Sequence, residues 1–156
     1  MLEIRIPDFG VLQLEHLVLD YNGTLTFDGK VLAQVKQKLA ELAGYLKIHV
    51  LTADTFSTAR AELTDVSCEV KVLEASEMDK QKETYVTVLG ANTVVAYGNG
   101  RNDRRMLKAA RLGVAVVGRE GCAVEALMAA DVCVSDIVDG LGLLLNPKRL
   151  EATLKL

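Results

Sequence analysis

Residues 17–25 run Leu17-Val18-Leu19-Asp20-Tyr21-Asn22-Gly23-Thr24-Leu25, an apolar strand cut off by an acid and followed at once by a turn. A carboxylate in that place stands at the carboxyl end of a buried strand, where open α/β sheets hold their ligands. Asp20 is the sole acid of the run, so a carboxylate that attacks a substrate here is this one. The plainer alternative is a strand-to-turn Asp beside an Asn-Gly turn, a common pairing with no chemistry attached. The remainder of the chain weighs between the two.

Upstream, Leu2, Ile4 and Ile6 alternate with Glu3 and Arg5, a Pro7-Asp8-Phe9-Gly10 turn follows, and Leu12 and Leu14 alternate with Gln13 and Glu15. This predicts an opening β-hairpin with one apolar face, its second arm running into the 17–19 strand. Downstream, Val31, Leu32, Val35, Leu39 and Leu42 recur at helical spacing and predict a helix over 31–43. Strands are expected at 48–51, 70–73, 93–97, 113–117 and 132–134. Helices are expected at 54–63, 77–89, 102–111 and 124–130, and in a tail from 137 broken at Asn146-Pro147. Strands alternating with helices imply βαβ units and a parallel sheet. The fold class is therefore α/β: a Rossmann-like three-layer sandwich with a mainly parallel sheet and an N-terminal β-hairpin. No linker or repeat divides the chain, so residues 1–156 are expected to form one domain.

Half of the 156 residues are apolar and the net charge is −3. No basic stripe suits nucleic acid and no apolar run reaches a membrane span, so neither partner is expected. Met1 leads into a charged, alternating segment unlike a signal peptide, and the expected location is cytoplasmic. Cys68, Cys122 and Cys133 are odd in number and lack CxxC spacing; they read as reduced core residues. His16 and His49 lie singly in strand-like runs and read as structural filler.

Side chains that directly follow the strands of such a sheet line one crevice. After the first strand come Asp20, Asn22, Gly23 and Thr24; after the second, Thr52, Ala53 and Asp54; after the fourth, Gly98-Asn99-Gly100-Arg101-Asn102-Asp103. Lys80 and Lys82 open a helix able to aim a positive charge inward. An acid, a hydroxyl, a lysine and an Asn/Asp loop together suit a phosphoryl group and a hard cation. Mg²⁺ takes oxygen ligands and keeps waters, so one or two side-chain oxygens suffice. Gly23, Thr24, Thr52, Ala53, Asn102 and one of the two lysines, Lys80 or Lys82, are the candidate phosphate binders, through hydroxyl, ammonium, amide and backbone N–H donors. Asp54 is expected to cap the following helix, and Arg101 either guards the mouth or is a solvated loop residue.

Asp20-x-Asn22-Gly23-Thr24-Leu25, Leu51-Thr52-Ala53-Asp54, a later lysine and Gly98-Asn99-Gly100-Arg101-Asn102-Asp103 resemble the four motifs of the haloacid dehalogenase-like hydrolase superfamily, in order, over about residues 14–134. The last two loop motifs are similar to the Thr-Gly-Asp and Gly-Asp-Gly-x-Asn-Asp of the phosphorylation domain of P-type cation-transporting ATPases, whose nucleophile loop reads Asp-Lys-Thr-Gly-Thr. The chain looks like a membrane-free relative of that domain. The resemblance implies Asp20 as a nucleophile that forms an aspartyl-phosphate and binds Mg²⁺. It implies Asn22 as a metal ligand through its backbone carbonyl, Thr52 as a holder of the phosphoryl group and Lys82 as its counter-charge. Lys82 is preferred to Lys80 because Lys82, Val86 and Leu89 match the ATPase spacing. Asn99 falls at the family's metal-binding acid and Asp103 at the acid that acts through water, which makes both candidate metal ligands.

Two departures matter. Hydrolytic members of the superfamily place an acid two positions after the nucleophile, and Asn22 cannot exchange a proton near neutral pH; loss of such a group costs about 10²–10⁴ in rate. Asn99 in place of an acid removes a negative charge from the metal shell. The expectation is a slow phosphatase acting on a small or macromolecular phosphate ester, or one with a long-lived phospho-enzyme. The alternative is a weakened regulatory or scaffolding protein that binds phosphate or a protein partner. Residues 25–52 leave room for a small flap over 26–30 but not for a cap or nucleotide-binding domain. Capless relatives admit bulky substrates or close the site with a neighbouring subunit; the hairpin's apolar face suits either a homo-oligomer contact or packing on its own sheet edge.

Overall fold

The computed structural model describes residues 1–54 and 57–156. β1 (Leu2–Ile6) and β2 (Gly10–Leu14) form an antiparallel hairpin, with Leu2 opposite Leu14 and Ile6 opposite Gly10. β3 (His16–Asp20) follows after Glu15 and belongs to a different sheet. The expected continuation of the hairpin into this strand is thus interrupted: β2 ends at Leu14 before the chain enters the main sheet. A loop over Tyr21–Leu25 leads to a two-stranded flap, β4 (Thr26–Phe27) and β5 (Lys30–Val31). Asp28 and Gly29 turn the flap with φ of 51° and 78°, the positive pair that a tight hairpin turn requires. Pairing of Lys30 and Val31 in this flap delays α1 to Ala33–Leu42, two residues later than the apolar spacing predicts.

The chain then runs through β6 (Lys47–Thr52), α2 (Thr58–Glu62), β7 (Glu69–Val72), α3 (Met78–Leu89) and β8 (Val94–Gly98). A short tight turn (Arg101–Asp103) enters α4 (Arg104–Ala109), followed by β9 (Leu112–Val116), α5 (Val124–Ala129), β10 (Val132–Val134), α6 (Ile137–Leu145) and α7 (Pro147–Leu154). The helix expected over 54–63 is described only for 58–62, since residues 55 and 56 lie outside the described set. The tail breaks at Asn146-Pro147 as its sequence implies, with Pro147 in the first turn of α7, where a missing N–H costs nothing.

Six parallel strands make the central sheet, in the order β10-β9-β8-β3-β6-β7. β3 lies between β8 and β6, so the chain leaves it first to one side and later to the other. That reversal opens a crevice at its carboxyl end. Buried Leu17, Leu19, Val95 and Val114 join one core with α1, α6 and the hairpin residues Ile4, Ile6, Leu12 and Leu14. Val18, Leu51, Ala96 and Val86 join a second core with α3 and α4 on the opposite face. With both faces covered, the strands are apolar on both sides, as parallel strands are. The hairpin's apolar face is part of the first core and packs on its own chain.

The cysteines depart from expectation. All three are free, but Cys68 and Cys122 are only half-buried and Cys133 is exposed, so none belongs to the inner core. β10 is an edge strand of three residues and leaves Cys133 on its open face. The histidines are not isolated: His16 Nδ1 lies 3.0 Å from His49 Nε2, and His49 Nδ1 lies 2.9 Å from the Tyr85 hydroxyl. Strand pairing of β3 with β6 brings them together across 33 residues of sequence.

Candidate active site

Asp20 ends the central strand, buried at 8 % residue exposure and in register with Leu51 of β6, the residue before Thr52. One of its oxygens accepts a hydrogen bond from Lys82 Nζ at 2.8 Å, the other from the Thr24 hydroxyl at 3.1 Å. Lys82 is wholly buried on the inner face of α3, and its ammonium also donates to Asp103 at 2.7 Å and to the Asn102 side-chain oxygen at 2.9 Å. Those three acceptors occupy its three protons. Lys80, by contrast, is exposed and pairs with Glu77 on its own helix.

Asp103 is also fully buried, and its second oxygen accepts from the backbone N–H groups of Asn99 at 3.0 Å and Gly100 at 2.8 Å. Both of its oxygens are thereby committed, one to Lys82 and one to the turn. The turn fits this closely because residue 98 is glycine: a Cβ there would stand 2.5 Å from the Asp103 carboxyl carbon. Asn99 is half-buried. Its amide oxygen lies 3.1 Å from the Thr24 hydroxyl and its amide nitrogen donates to the Gly121 carbonyl at 3.2 Å. The single Thr24 proton goes either to Asp20 or to Asn99, so Thr24 links the nucleophile loop to the fourth motif.

The loop from Tyr21 to Leu25 is shaped by Gly23, whose φ of +77° is left-handed and whose missing Cβ would lie 2.6 Å from the Asn99 amide nitrogen. No other residue allows both. The loop closes through the Thr26 N–H to the Tyr21 carbonyl. Asn22 sits on this loop, extended and exposed. Thr52 is buried, and its hydroxyl accepts from the Asp54 N–H at 3.0 Å; among the described residues no hydrogen bond joins it to Asp20 or Lys82. Ala53 follows, half-buried. The Asp54 carboxylate accepts from the Ala59 N–H at 3.0 Å in the first turn of α2, a capping contact. Arg101 pairs with Glu125 on α5 at 2.8 Å, away from Asp20.

Hydrogen bonds therefore join Asp20, Thr24, Lys82, Asn99, Asn102 and Asp103 into one network, while Asn22, Thr52 and Ala53 border it. Two carboxylates face a single ammonium, leaving one negative charge over. Burial and the neighbouring Asp103 carboxylate push the Asp20 carboxyl up to about 7, against the pull of Lys82 and Thr24. Burial disfavours the Lys82 ammonium, but Asp20 and Asp103 outweigh it and hold the lysine above its ordinary range. A cation beside Asp20 would keep that carboxylate ionised. The oxygens at hand for one are the Asp20 carboxylate, the Asn99 amide and the Asn22 backbone carbonyl, a hard, oxygen-only set that fits a divalent ion retaining waters. Among the described residues no three His, Cys, Asp or Glu side chains cluster to hold a metal ion.

The loop after β9 also enters the site. The Ala123 N–H donates to the Asn99 carbonyl at 2.8 Å, and Gly121 takes the Asn99 amide. Gly118 and Gly121, bracketing a short loop after the fifth sheet strand, are the sequence signal that would have placed it there.

Comparison with known proteins bears on the fold. No protein-family model matches the chain. An uncharacterized protein of Methanocaldococcus jannaschii is 48 % identical over 60 residues, 38 % of this chain and 64 % of that protein, so the match spans a little under two thirds of its length. Among solved structures, the cobalt-bound deoxy-D-mannose-octulosonate 8-phosphate phosphatase of Haemophilus influenzae superposes with a TM-score of 0.72 at 14 % identity, over 90 % of this chain and 92 % of that one. The Moraxella catarrhalis 3-deoxy-D-manno-octulosonate 8-phosphate phosphatase, in complex with magnesium ion, phosphate ion and KDO, gives 0.70 at 12 % identity, over 90 % and 91 %. A zinc-transporting PIB-type ATPase in its E2.Pi state gives 0.63 at 27 % identity, over 80 % of this chain and 20 % of the ATPase. The chain has the fold of the haloacid dehalogenase-like hydrolase superfamily, to which its four motifs pointed. Among the described residues no helix is long and apolar enough to cross a membrane.

Proposed function

We propose that this protein is a Mg²⁺-dependent phosphohydrolase acting on small phosphate esters through an aspartyl-phosphate on Asp20. The observation that carries this reading is the wholly buried Lys82 ammonium, held 2.8 Å from Asp20 and 2.7 Å from Asp103 at the carboxyl ends of the central strands. A buried lysine fixed against a strand-end carboxylate neutralises charge where a phosphoryl group arrives. The similarity to phosphatases and to a phosphate-bearing ATPase state supports the same chemistry.

In this reading an Asp20 oxygen bonds to phosphorus as the ester P–O bond breaks, and the departing alkoxide takes a proton from water. Water then adds to phosphorus, releasing phosphate and the free carboxylate. Thr52, Asn102 and the N–H groups of Gly23, Thr24 and Ala53 bind the phosphoryl oxygens, and Lys82 offsets their charge. Asp103 positions Lys82 and the turn over 98–103. Asp20, the Asn22 carbonyl and Asn99 hold the metal ion, which supplies charge neutralisation when bound, while Asp103 lends its charge from behind the lysine. Residues 1–156 act as one catalytic domain without a cap, in the cytoplasm. Incubation with phosphorylated metabolites and Mg²⁺ should release phosphate from wild type and not from Asp20→Asn; equal release from both would reject the assignment.

A second reading rests on two residues. Asn22 is exposed at the mouth and cannot relay a proton, and Asn99 contributes an amide where an acid would bind metal more tightly. A protein that holds phosphate or a protein partner without turnover would show saturable phosphate binding and no phospho-enzyme.

A further inference from the structure

One cavity of about 450 Å³ shares Gly23 and Thr24 with the phosphoryl loop and runs beneath the β4–β5 flap to the start of α6. It is far roomier than a phosphate ion requires. Its walls are apolar at Phe27 and Ile137, and its charged lining is unbalanced: Glu120, Asp136 and Asp139 stand against one cation, Arg119. The Arg119 guanidinium lies over the Phe27 ring, 4.9 Å from its centroid. The aromatic face thus already holds a cation, drawn by the ring's negative quadrupole.

We infer that this cavity receives the leaving group of the phosphate ester and selects one that carries a positive charge, an amino-alcohol phosphate; this rests on the hydrolase reading above. Continuity with Thr24, whose hydroxyl touches Asp20, places the cavity where an ester bound at Asp20 extends its alcohol. An ammonium on that alcohol takes the place on Phe27 that Arg119 fills, and the exposed Arg119 turns outward to solvent. A second anionic group meets three carboxylates and is repelled. A neutral alcohol gains only the apolar walls.

The test is a series of two-carbon phosphate esters alike except in the terminal group: O-phosphoethanolamine, 2-hydroxyethyl phosphate and phosphoglycolate. Values of kcat/KM should fall in that order, with about tenfold between the ends, the size expected for partly exposed charge pairs. The Glu120→Gln/Asp139→Asn double variant should narrow this range severalfold, and so should 0.5 M salt, which screens such charges. Phe27→Ala should weaken the ammonium ester most. Binding of the three esters to Asp20→Asn with Mg²⁺, followed by NMR shifts, should keep the same order. The order kept in binding without turnover by wild type sustains the cavity's role and removes the hydrolase reading. Turnover of all three at equal efficiency sustains the hydrolase reading and overturns the inference; a reversed order or no binding also overturns the inference.

Discussion

Lys82 and Asp20 are joined by one ion pair yet stand in unequal positions. Lys82 is the sole cation between two buried carboxylates, so Lys82→Met strands both without a counter-charge, whereas Asp20→Asn removes one of two competing acids. Breaking a buried pair from the uncompensated side costs about 3–5 kcal/mol. Denaturant unfolding should therefore show Lys82→Met destabilised by about that amount. Asp20→Asn should stay within about 1 kcal/mol of wild type, since it leaves the Lys82–Asp103 pair intact. Comparable losses in both would mean that Asp103 does not share the lysine. Asn22 is the second residue that sets behaviour here. It is exposed on the loop that follows Asp20 and lacks a titratable group. If slow proton transfer limits turnover, Asn22→Asp should raise kcat by about 10²-fold, and phospho-enzyme captured after acid quench should fall in step. An unchanged rate would place the slow step elsewhere.

The loop over Tyr21–Leu25 and the segment after β8 touch at Gly23 and Asn99, a position where only hydrogen fits. Gly23 and Gly29 share nearly the same left-handed φ, +77° and +78°, but a Cβ at 29 meets nothing within 4 Å while one at 23 meets the Asn99 amide at 2.6 Å. Gly29→Ala should thus cost only the backbone strain, about 1 kcal/mol, and Gly23→Ala that plus the displacement of Asn99, about 2–3 kcal/mol with loss of metal-dependent activity. Equal melting shifts for the two would show that the loops are not wedged together. Elements of this kind were legible in the sequence wherever period and punctuation agreed: the Val- and Leu-rich strands, the Asn-Gly turns, the break at Pro147. Boundaries shifted where tertiary pairing took residues from a helix, as the flap took Lys30 and Val31 from α1. The site was readable through the residues that end β3, β6 and β8. The loop after β9 was marked in the sequence only by Gly118 and Gly121, and the parts played by the Gly121 carbonyl and the Ala123 N–H were not legible, because backbone groups act there and no side chain announces them.

At the scale of the molecule, β3 runs from His16 at one end to Asp20 at the other, and its Leu17 and Leu19 share a core with the hairpin. Leu12 is fully buried in that packing, so Leu12→Ala should cost about 2–5 kcal/mol while leaving the turnover of the folded fraction as it was. The histidine pair was illegible in sequence, since only strand order sets His16 against His49. Burial holds both below the ordinary histidine range; Glu15 and Glu69 oppose it on His16 against Lys47, and on His49 the His16 charge and Lys47 add to it while Glu69 opposes. The folded chain thus binds a proton here less readily than the unfolded one. Above the unfolded value of 6.5 both states are neutral and the pair's contribution is complete. As pH falls below it the unfolded chain gains protons first, and stability declines by up to about 1.4 kcal/mol per pH unit for each histidine, until the folded pair titrates. Asp20, raised to about 7, titrates in the opposite sense over part of this window, so the comparison belongs in an Asp20→Asn background. There, urea midpoints should hold steady from pH 8 to 7 and drop between 6.5 and 5.5, and a His16→Gln/His49→Gln double variant should flatten the drop. An identical decline in that variant would assign the acid sensitivity to carboxylates elsewhere in the fold.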